Sequence, residues 1–172
     1  MEIGIISDTH IKSNMDYSGL YRRVQEAFVD VELILHAGDI STIKFITDLE
    51  KIAQVEAVVG NVDDSTIHER YTPFSKIEIM GKKIGLMHEI PSFSFIKQEN
   101  IDIMVTGHTH IPSIKEYFEL DHGFLHLNPG SPLQPRAPPL NARYQVQRNP
   151  MPTVMILNID EEISSAYIIT LR

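Results

Sequence analysis

The stretch Ile3-Gly4-Ile5-Ile6-Ser7-Asp8-Thr9-His10 decides how the rest of the chain is read. Its apolar run has the character of a buried strand, and it ends in a carboxylate and an imidazole two residues apart, both ligands of divalent metals. The same design recurs. Residues 33–36 run into Gly38-Asp39, residues 55–59 into Gly60-Asn61, residues 84–87 into His88, and residues 101–106 into Gly107-His108-Thr109-His110. Five expected strands therefore end in oxygen or imidazole donors.

The segments between these strands fix the architecture. Leu20, Val24, Ala27, Phe28 and Val31 recur at helical spacing with Arg22, Arg23, Gln25 and Glu26 opposite them, which predicts an amphipathic helix over 18–31. Ser41 is the expected N-cap of a second helix carrying Ile43, Ile46, Leu49 and Ile52. A β-α-β-α-β order follows, which predicts parallel strands, right-handed crossovers and a ligand crevice at the carboxyl ends. From Phe74 onward the texture changes to a hairpin of 75–80 with 83–87, a short helix within 91–99, strands 113–120 and 123–127, and a final hairpin of 153–159 with 163–170. These later strands are expected to be antiparallel. The fold class that covers all these apolar faces is α/β: a four-layer α-β-β-α sandwich of two mixed sheets flanked by helices.

No linker divides the 172 residues, so one domain over 1–172 is expected. Residues 128–152 hold seven of the ten prolines, which excludes helix or central strand there and marks 132–152 as a proline-rich loop insertion. No apolar run approaches the length of a membrane span, and Glu2 stands where a secretory signal would need a basic segment, so a cytoplasmic location is expected. The chain has no cysteine, which leaves oxygen and imidazole as the only strong metal donors. A net charge of -8 disfavours a grip on long nucleic acid, and an anionic substrate would need a local positive centre.

Asp8, His10, Asp39, Asn61, His88, His108 and His110 form a set of seven candidate metal ligands. Two divalent ions about 3.5–4 Å apart need about this many protein groups if one carboxylate bridges and water completes the shells. Asp8 with His10, and His108 with His110, can each point one way from an extended segment or a tight turn, whereas on a helix they would diverge.

These residues resemble the calcineurin-like metallophosphoesterases, and within them the small archaeal and bacterial phosphodiesterase branch. The resemblance lies in Asp8-x-His10, Gly38-Asp39, Gly60-Asn61, His88 and Gly107-His108-Thr109-His110, with Asn128-Pro129-Gly130-Ser131 as a further signature of the small branch. It implies that Asp8, His10, Asp39 and His110 hold one metal, and Asp39, Asn61, His88 and His108 the other, with Asp39 bridging. It also implies a phosphodiesterase in which a hydroxide bridging two divalent ions attacks phosphorus in line. Mn²⁺, Ni²⁺, Zn²⁺, Fe²⁺ and Co²⁺ all suit such a donor set. Two such ions against two carboxylates and one hydroxide leave a positive pocket, so an acidic protein can bind a phosphate.

The departures are informative. Val62 stands where many relatives have a proton-donating histidine, Ile43-Lys44 replaces an Asp-Arg pair, and Glu89 replaces a glycine after His88. Asp63 is the nearest candidate general acid, although an acidic turn residue is more often a solvated cap. Arg136, Arg143 and Arg148 lie in the proline-rich loop, which is read first as a solvated surface loop and second as a basic flap over the site or against a neighbouring subunit; Arg136 is the candidate substrate-binding residue. His36, His122 and His126 read as hydrogen-bonded core residues and His68 as a surface residue. The expected partner is a small phosphodiester or nucleotide-like substrate, with a homo-oligomer as a possible assembly. The competing readings are a phosphomonoesterase and a non-catalytic scaffold on the same fold, as in the retromer scaffold subunit. A complete ligand set favours the enzyme.

Overall fold

The computed structural model describes residues 1–12, 14–119, 122–137, 150–161 and 164–172. Strand β1 (Glu2–Ile6) is followed by helix α1 (Ser18–Ala27), strand β2 (Leu33–His36), helix α2 (Ile43–Leu49) and strand β3 (Gln54–Ala57). The three strands pair in parallel, with Ile5 opposite Leu35 and Leu35 opposite Glu56. Strands β9 (Thr153–Ile159) and β10 (Ser164–Thr170) complete this first sheet antiparallel on the free side of β1, giving the order β10-β9-β1-β2-β3. The second sheet is built from β4 (Phe74–Ile79), β5 (Lys82–Met87), β6 (Ile103–Val105), β7 (Ser113–Glu119) and β8 (His122–Asn128) in the order β4-β5-β6-β8-β7.

Alternation along the strands makes the layers. Ile3, Ile5, Leu33, Leu35 and Leu157 meet Ile84, Leu86, Ile103, Val105 and Leu127 between the two sheets. The opposite faces of the first sheet, through Ile34, Ala57 and Ile156, receive Leu20, Val24 and Phe28 of the α1 segment and Phe45, Ile46 and Leu49 of α2. Gly4 is part of this fit, because a Cβ there would lie 2.9 Å from the Phe28 ring. Helix α4 (Phe93–Gln98) covers the far face of the second sheet by setting Ile96 against Met104 and Phe124. The result is the expected α-β-β-α sandwich of two mixed sheets.

Several local expectations are corrected. The first helix stops at Ala27, with the Phe28 N–H closing on Val24 O, although Phe28 and Val31 beyond it still bury in the core. Thr42 precedes α2 where Ser41 was expected to cap it; Ser41 has φ +66° and gives its N–H to the Asp63 carboxylate. The later strands are not all antiparallel: β6 runs parallel to β5, because α4 carries the chain back before β6 begins, and parallel to β8, because β7 takes the outer edge and β8 returns between them. Helix α3 (Ser65–Arg70) was not expected; Asp64 starts it by accepting the N–H groups of Thr66 and Ile67, an Asp N-cap that the sequence does display. Among the described residues no helix is long and apolar enough to cross a membrane.

Candidate metal centre

The carboxyl ends of β1, β2, β3, β5 and β6 open on the same edge of the sandwich, and the loops that leave them carry the seven candidate ligands. Ligand atoms of Asp8, His10, Asp39 and His110 all lie within 4.8 Å of one another. His110 Nε2 is 3.3 Å from Asp8 Oδ1 and 3.1 Å from His10 Nε2, and His10 Nε2 is 3.6 Å from Asp39 Oδ2. On the other side of the same oxygen, His88 Nε2 lies 3.3 Å from Asp39 Oδ2 and 3.0 Å from Asn61 Oδ1, and His108 Nδ1 lies 3.2 Å from Asn61 Oδ1. Asp39 Oδ2 thus sits between two clusters. Donor atoms held about 2.0–2.2 Å from an ion lie roughly 3–3.5 Å from each other at tetrahedral or octahedral angles, which is the spacing seen here.

The orientation of the rings tests whether cations fit. His88 Nδ1 is 2.8 Å from Ala37 O and His110 Nδ1 is 2.6 Å from Gln134 O, so each ring donates its Nδ1–H to a carbonyl. Each Nε2 is then a bare lone pair aimed into the site. His88 Nε2 meets two acceptor oxygens, and His110 Nε2 meets a carboxylate oxygen and a second imidazole nitrogen. Lone pairs gathered in this way repel unless a cation stands among them, so the donor set fits divalent ions.

The metal-free electrostatics agree. Burial of His88 pushes its imidazole down, but the hydrogen bond to Asp39 and the Ala37 carbonyl outweigh this and raise its pKa. Burial pushes Asp39 up too, yet His88 and the Val62 N–H, which donates to its Oδ1 at 3.1 Å, hold it below the usual carboxylate range. Asp8 is fully buried and desolvation raises its pKa, while desolvation lowers that of His10.

A second layer holds the ligands in place. The Asn128 amide donates to Gly107 O at 2.6 Å, and its carbonyl accepts the Gly130 N–H. Ser131 Oγ donates to Asp8 O at 2.7 Å, and Ser7 Oγ lies 2.7 Å from Asp8 Oδ2. The Asn128–Ser131 signature was readable in the sequence, but Ser7 and the carbonyls of Ala37 and Gln134 carried no signal, because a carbonyl's role depends on backbone position and not on residue type. Two glycines make room: a Cβ on Gly60 would overlap the Asp39 carboxylate and backbone nitrogen, and one on Gly107 would lie 2.7 Å from Asp8 Oδ2.

Residues 1–162 match the calcineurin-like phosphoesterase superfamily domain. The chain belongs to that superfamily. As a calcineurin-like phosphoesterase it is 39% identical to a probable metallophosphoesterase of Methanothermobacter thermautotrophicus, over 98% of this chain and 92% of that protein. Its fold is similar to that of Vps29 complexed with Zn²⁺ from Entamoeba histolytica, with a TM-score of 0.74 and 27% identity over 99% of this chain and 93% of that one. It is also similar to an archaeal phosphodiesterase, with a TM-score of 0.68 and 26% identity over 98% of this chain and 100% of that one. Family and Asp–His cluster together make this calcineurin-like phosphoesterase a metal-binding member of a hydrolase family.

The remaining candidates fall in different places. Asp63 is half-buried next to the centre, but its two oxygens accept the N–H groups of Ser41 and Gly60, each at 2.7 Å. That geometry ties the loops after β2 and β3 together. Arg136 donates its backbone N–H to His110 O at 3.0 Å, which sets its exposed side chain at the rim of the centre. Arg143 and Arg148 lie outside the described residues. Glu89 is exposed, with Oε1 3.7 Å from His108 Nδ1. His36 and His126 are buried, each with one ring nitrogen bonded to a threonine hydroxyl and Nδ1 without a partner among the described residues. His122 bonds Ile101 O at 2.9 Å, and His68 is exposed on α3.

Proposed function

We propose that this protein is a metal-dependent phosphodiesterase that holds two divalent ions among Asp8, His10, Asp39, Asn61, His88, His108 and His110, shares Asp39 between them, and hydrolyses a P–O ester bond of a small nucleotide-like diester. The observation that carries the reading is the pair of lone-pair clusters meeting at Asp39 Oδ2. Divalent ions, when bound, supply the positive field that draws a phosphate to an acidic protein and the Lewis acidity that makes water a nucleophile near neutral pH. Mn²⁺, Ni²⁺, Zn²⁺, Fe²⁺ and Co²⁺ suit the mixed oxygen and imidazole donors.

The chain's own part is positioning. The carbonyls of Ala37 and Gln134 fix the His88 and His110 rings, and the Ser131 and Ser7 hydroxyls fix Asp8. The half-exposed His108 ring faces solvent at the mouth, where an ester oxygen would arrive. Val62 follows Asn61 with no proton to give, and Asp63 is committed to backbone N–H groups. Esters with acidic leaving groups are therefore the favoured substrates, since their alcohols depart without protonation. Likeness to an archaeal phosphodiesterase supports the diester over the monoester.

A partner-binding scaffold on the same fold is the second reading, favoured by the likeness to Vps29. The two part company in one assay: metal-stripped protein is given bis(p-nitrophenyl) phosphate or p-nitrophenyl phosphate, with Mn²⁺, Ni²⁺, Zn²⁺ or Mg²⁺ restored separately. The phosphodiesterase reading expects metal-dependent turnover, faster on the diester, and its loss in Asp39→Ala together with weaker binding of both ions. Turnover absent under every metal gives the case to the scaffold. Wild-type-like turnover in Asp39→Ala removes the shared-ligand assignment.

A further inference from the structure

Helix α4 covers the outer face of the second sheet over Met104 and Phe124, with Phe74, Met87 and Tyr117 packed around them. Toward the metal edge that face opens into a cleft of about 420 Å³, within the range of sites for small molecules. Glu89, Ile90, His108 and Ile111 line it, so the cleft and the metal centre share His108. His126 and Lys115, opposite each other in register on β8 and β7, belong to the same lining.

Two groups of this lining bear on what it can take. His126 is 7% exposed, its Nε2 lies 2.8 Å from Thr106 Oγ1, and its Nδ1 has no partner among the described residues. That Nδ1 is closed off from the surface, so a molecule in the cleft does not reach it. Burial, then the nearby Lys115 charge, bring the His126 imidazole down to about 4, so near neutral pH the positive charge of the lining is that of Lys115. Among the groups that line the cleft, Lys115 is the one lysine and has no carboxylate partner among the described residues, while Glu89, the one carboxylate, has Oε1 3.7 Å from His108 Nδ1. In a protein of net charge -8, an unpaired lysine in a cleft beside a metal centre is a local anion attractor.

We propose that this cleft is the subsite for the second arm of the phosphate ester, and that Lys115 selects an arm bearing an oxyanion, carboxylate or phosphonate, on a flat nucleoside-sized body lying against Ile90 and Ile111. The proposal deepens the phosphodiesterase reading and rests on it for the position of the ester's phosphate. Lys115 acts as a specificity residue: it holds the arm and takes no part in the bond change.

The test is binding, which reads the cleft separately from turnover. Phenyl phosphate and its para-carboxy, para-phosphonate and para-trimethylammonio derivatives are titrated calorimetrically into Mn²⁺-loaded protein. The carboxy and phosphonate compounds are expected to bind roughly ten-fold tighter than phenyl phosphate, and the trimethylammonio compound more weakly. In Lys115→Met the ratio should collapse to about one, and Lys115→Arg should restore it; Lys115 is exposed on an edge strand, so these variants keep the fold. Equal affinities in the wild type, or a preference that survives Lys115→Met, overturns the proposal. Failure of bis(p-nitrophenyl) phosphate to turn over while the ratio behaves as expected would overturn the hydrolase reading and leave an oxyanion-binding cleft standing.

Discussion

Asp8, His10, Asp39, His108 and His110 have φ of +52°, +46°, +55°, +67° and +61°. Left-handed backbone at a residue with a side chain costs of order 1–3 kcal/mol and persists only where its surroundings enforce it. Here it is the means by which residues two apart at a strand end aim at one point. The pairing of Asp8 with His10 was legible from their separation, but the turn that achieves it was not, because aspartate and histidine adopt left-handed backbone more often than most residues yet do so only where the surroundings enforce it. His36 shows the same limit. It is fully buried beneath the centre; Thr9 Oγ1 can donate to Ile40 O and accept from His36 Nε2, leaving Nδ1 a lone pair. Burial pushes the imidazole from its ordinary 6.5 down to about 3. The unfolded chain therefore binds a proton that the folded chain refuses: the stability contribution is complete above pH 6.5 and is lost as pH falls toward 3. Between those limits urea unfolding of the metal-free protein should lose about 1.4 kcal/mol per pH unit more than His36→Gln, which cannot titrate. Parallel curves for the two proteins would place the proton elsewhere. Asp63 gives a second test at this scale. If it braces the loops, Asp63→Asn turns one of its two acceptors into a donor facing an N–H and costs about 1–2 kcal/mol, while the dependence of rate on leaving-group pKa stays as in the wild type. A general acid would instead show a loss that grows as the leaving group becomes more basic.

Among the elements, β1, β2, β5 and β6 were readable because each buries apolar side chains and then breaks into a polar pair. Strand β3 begins one residue and ends two residues before the expected 55–59: Gln54 and Val55 pair with Leu33 and Ile34, and pairing ends at Ala57, although the apolar run continues to Val59. Val58 and Val59 remain buried, with Val59 N–H bonded to Thr72 O, so burial and sheet pairing separate there and composition reports only burial. The loop that follows must bring Gly60 against Asp39. Gly60→Ala would drive its Cβ into the Asp39 carboxylate and backbone nitrogen. Such overpacking costs about 1–3 kcal/mol, and displacement of a supporting element weakens metal affinity by roughly 10–100-fold. Metal titration followed by thermal denaturation checks both; an alanine variant that binds metal like the wild type would mean that the loop can retreat without moving Asp39.

For the whole molecule, apolar faces on both sides of the central strands made the layered sandwich legible. The sheet order was not, since β9 lies beside β1 from across the chain and β8 inserts between β6 and β7, pairings that periodicity does not encode. That order nevertheless creates the site. Parallel strands of two facing sheets, β1 with β2 and β5 with β6, deliver their loops to one edge, so residues a hundred positions apart come within 3.3 Å of each other, as Asp8 Oδ1 and His110 Nε2 do. The central claim is that this edge holds a pair of divalent ions about Asp39. The direct measurement is anomalous diffraction from crystals of Mn²⁺-loaded protein. Two peaks about 3.5–4 Å apart, one beside His10 and His110, the other beside His88 and His108, with the Asp39 carboxylate between them, are predicted. A single peak, or manganese bound away from Asp39, would contradict the account.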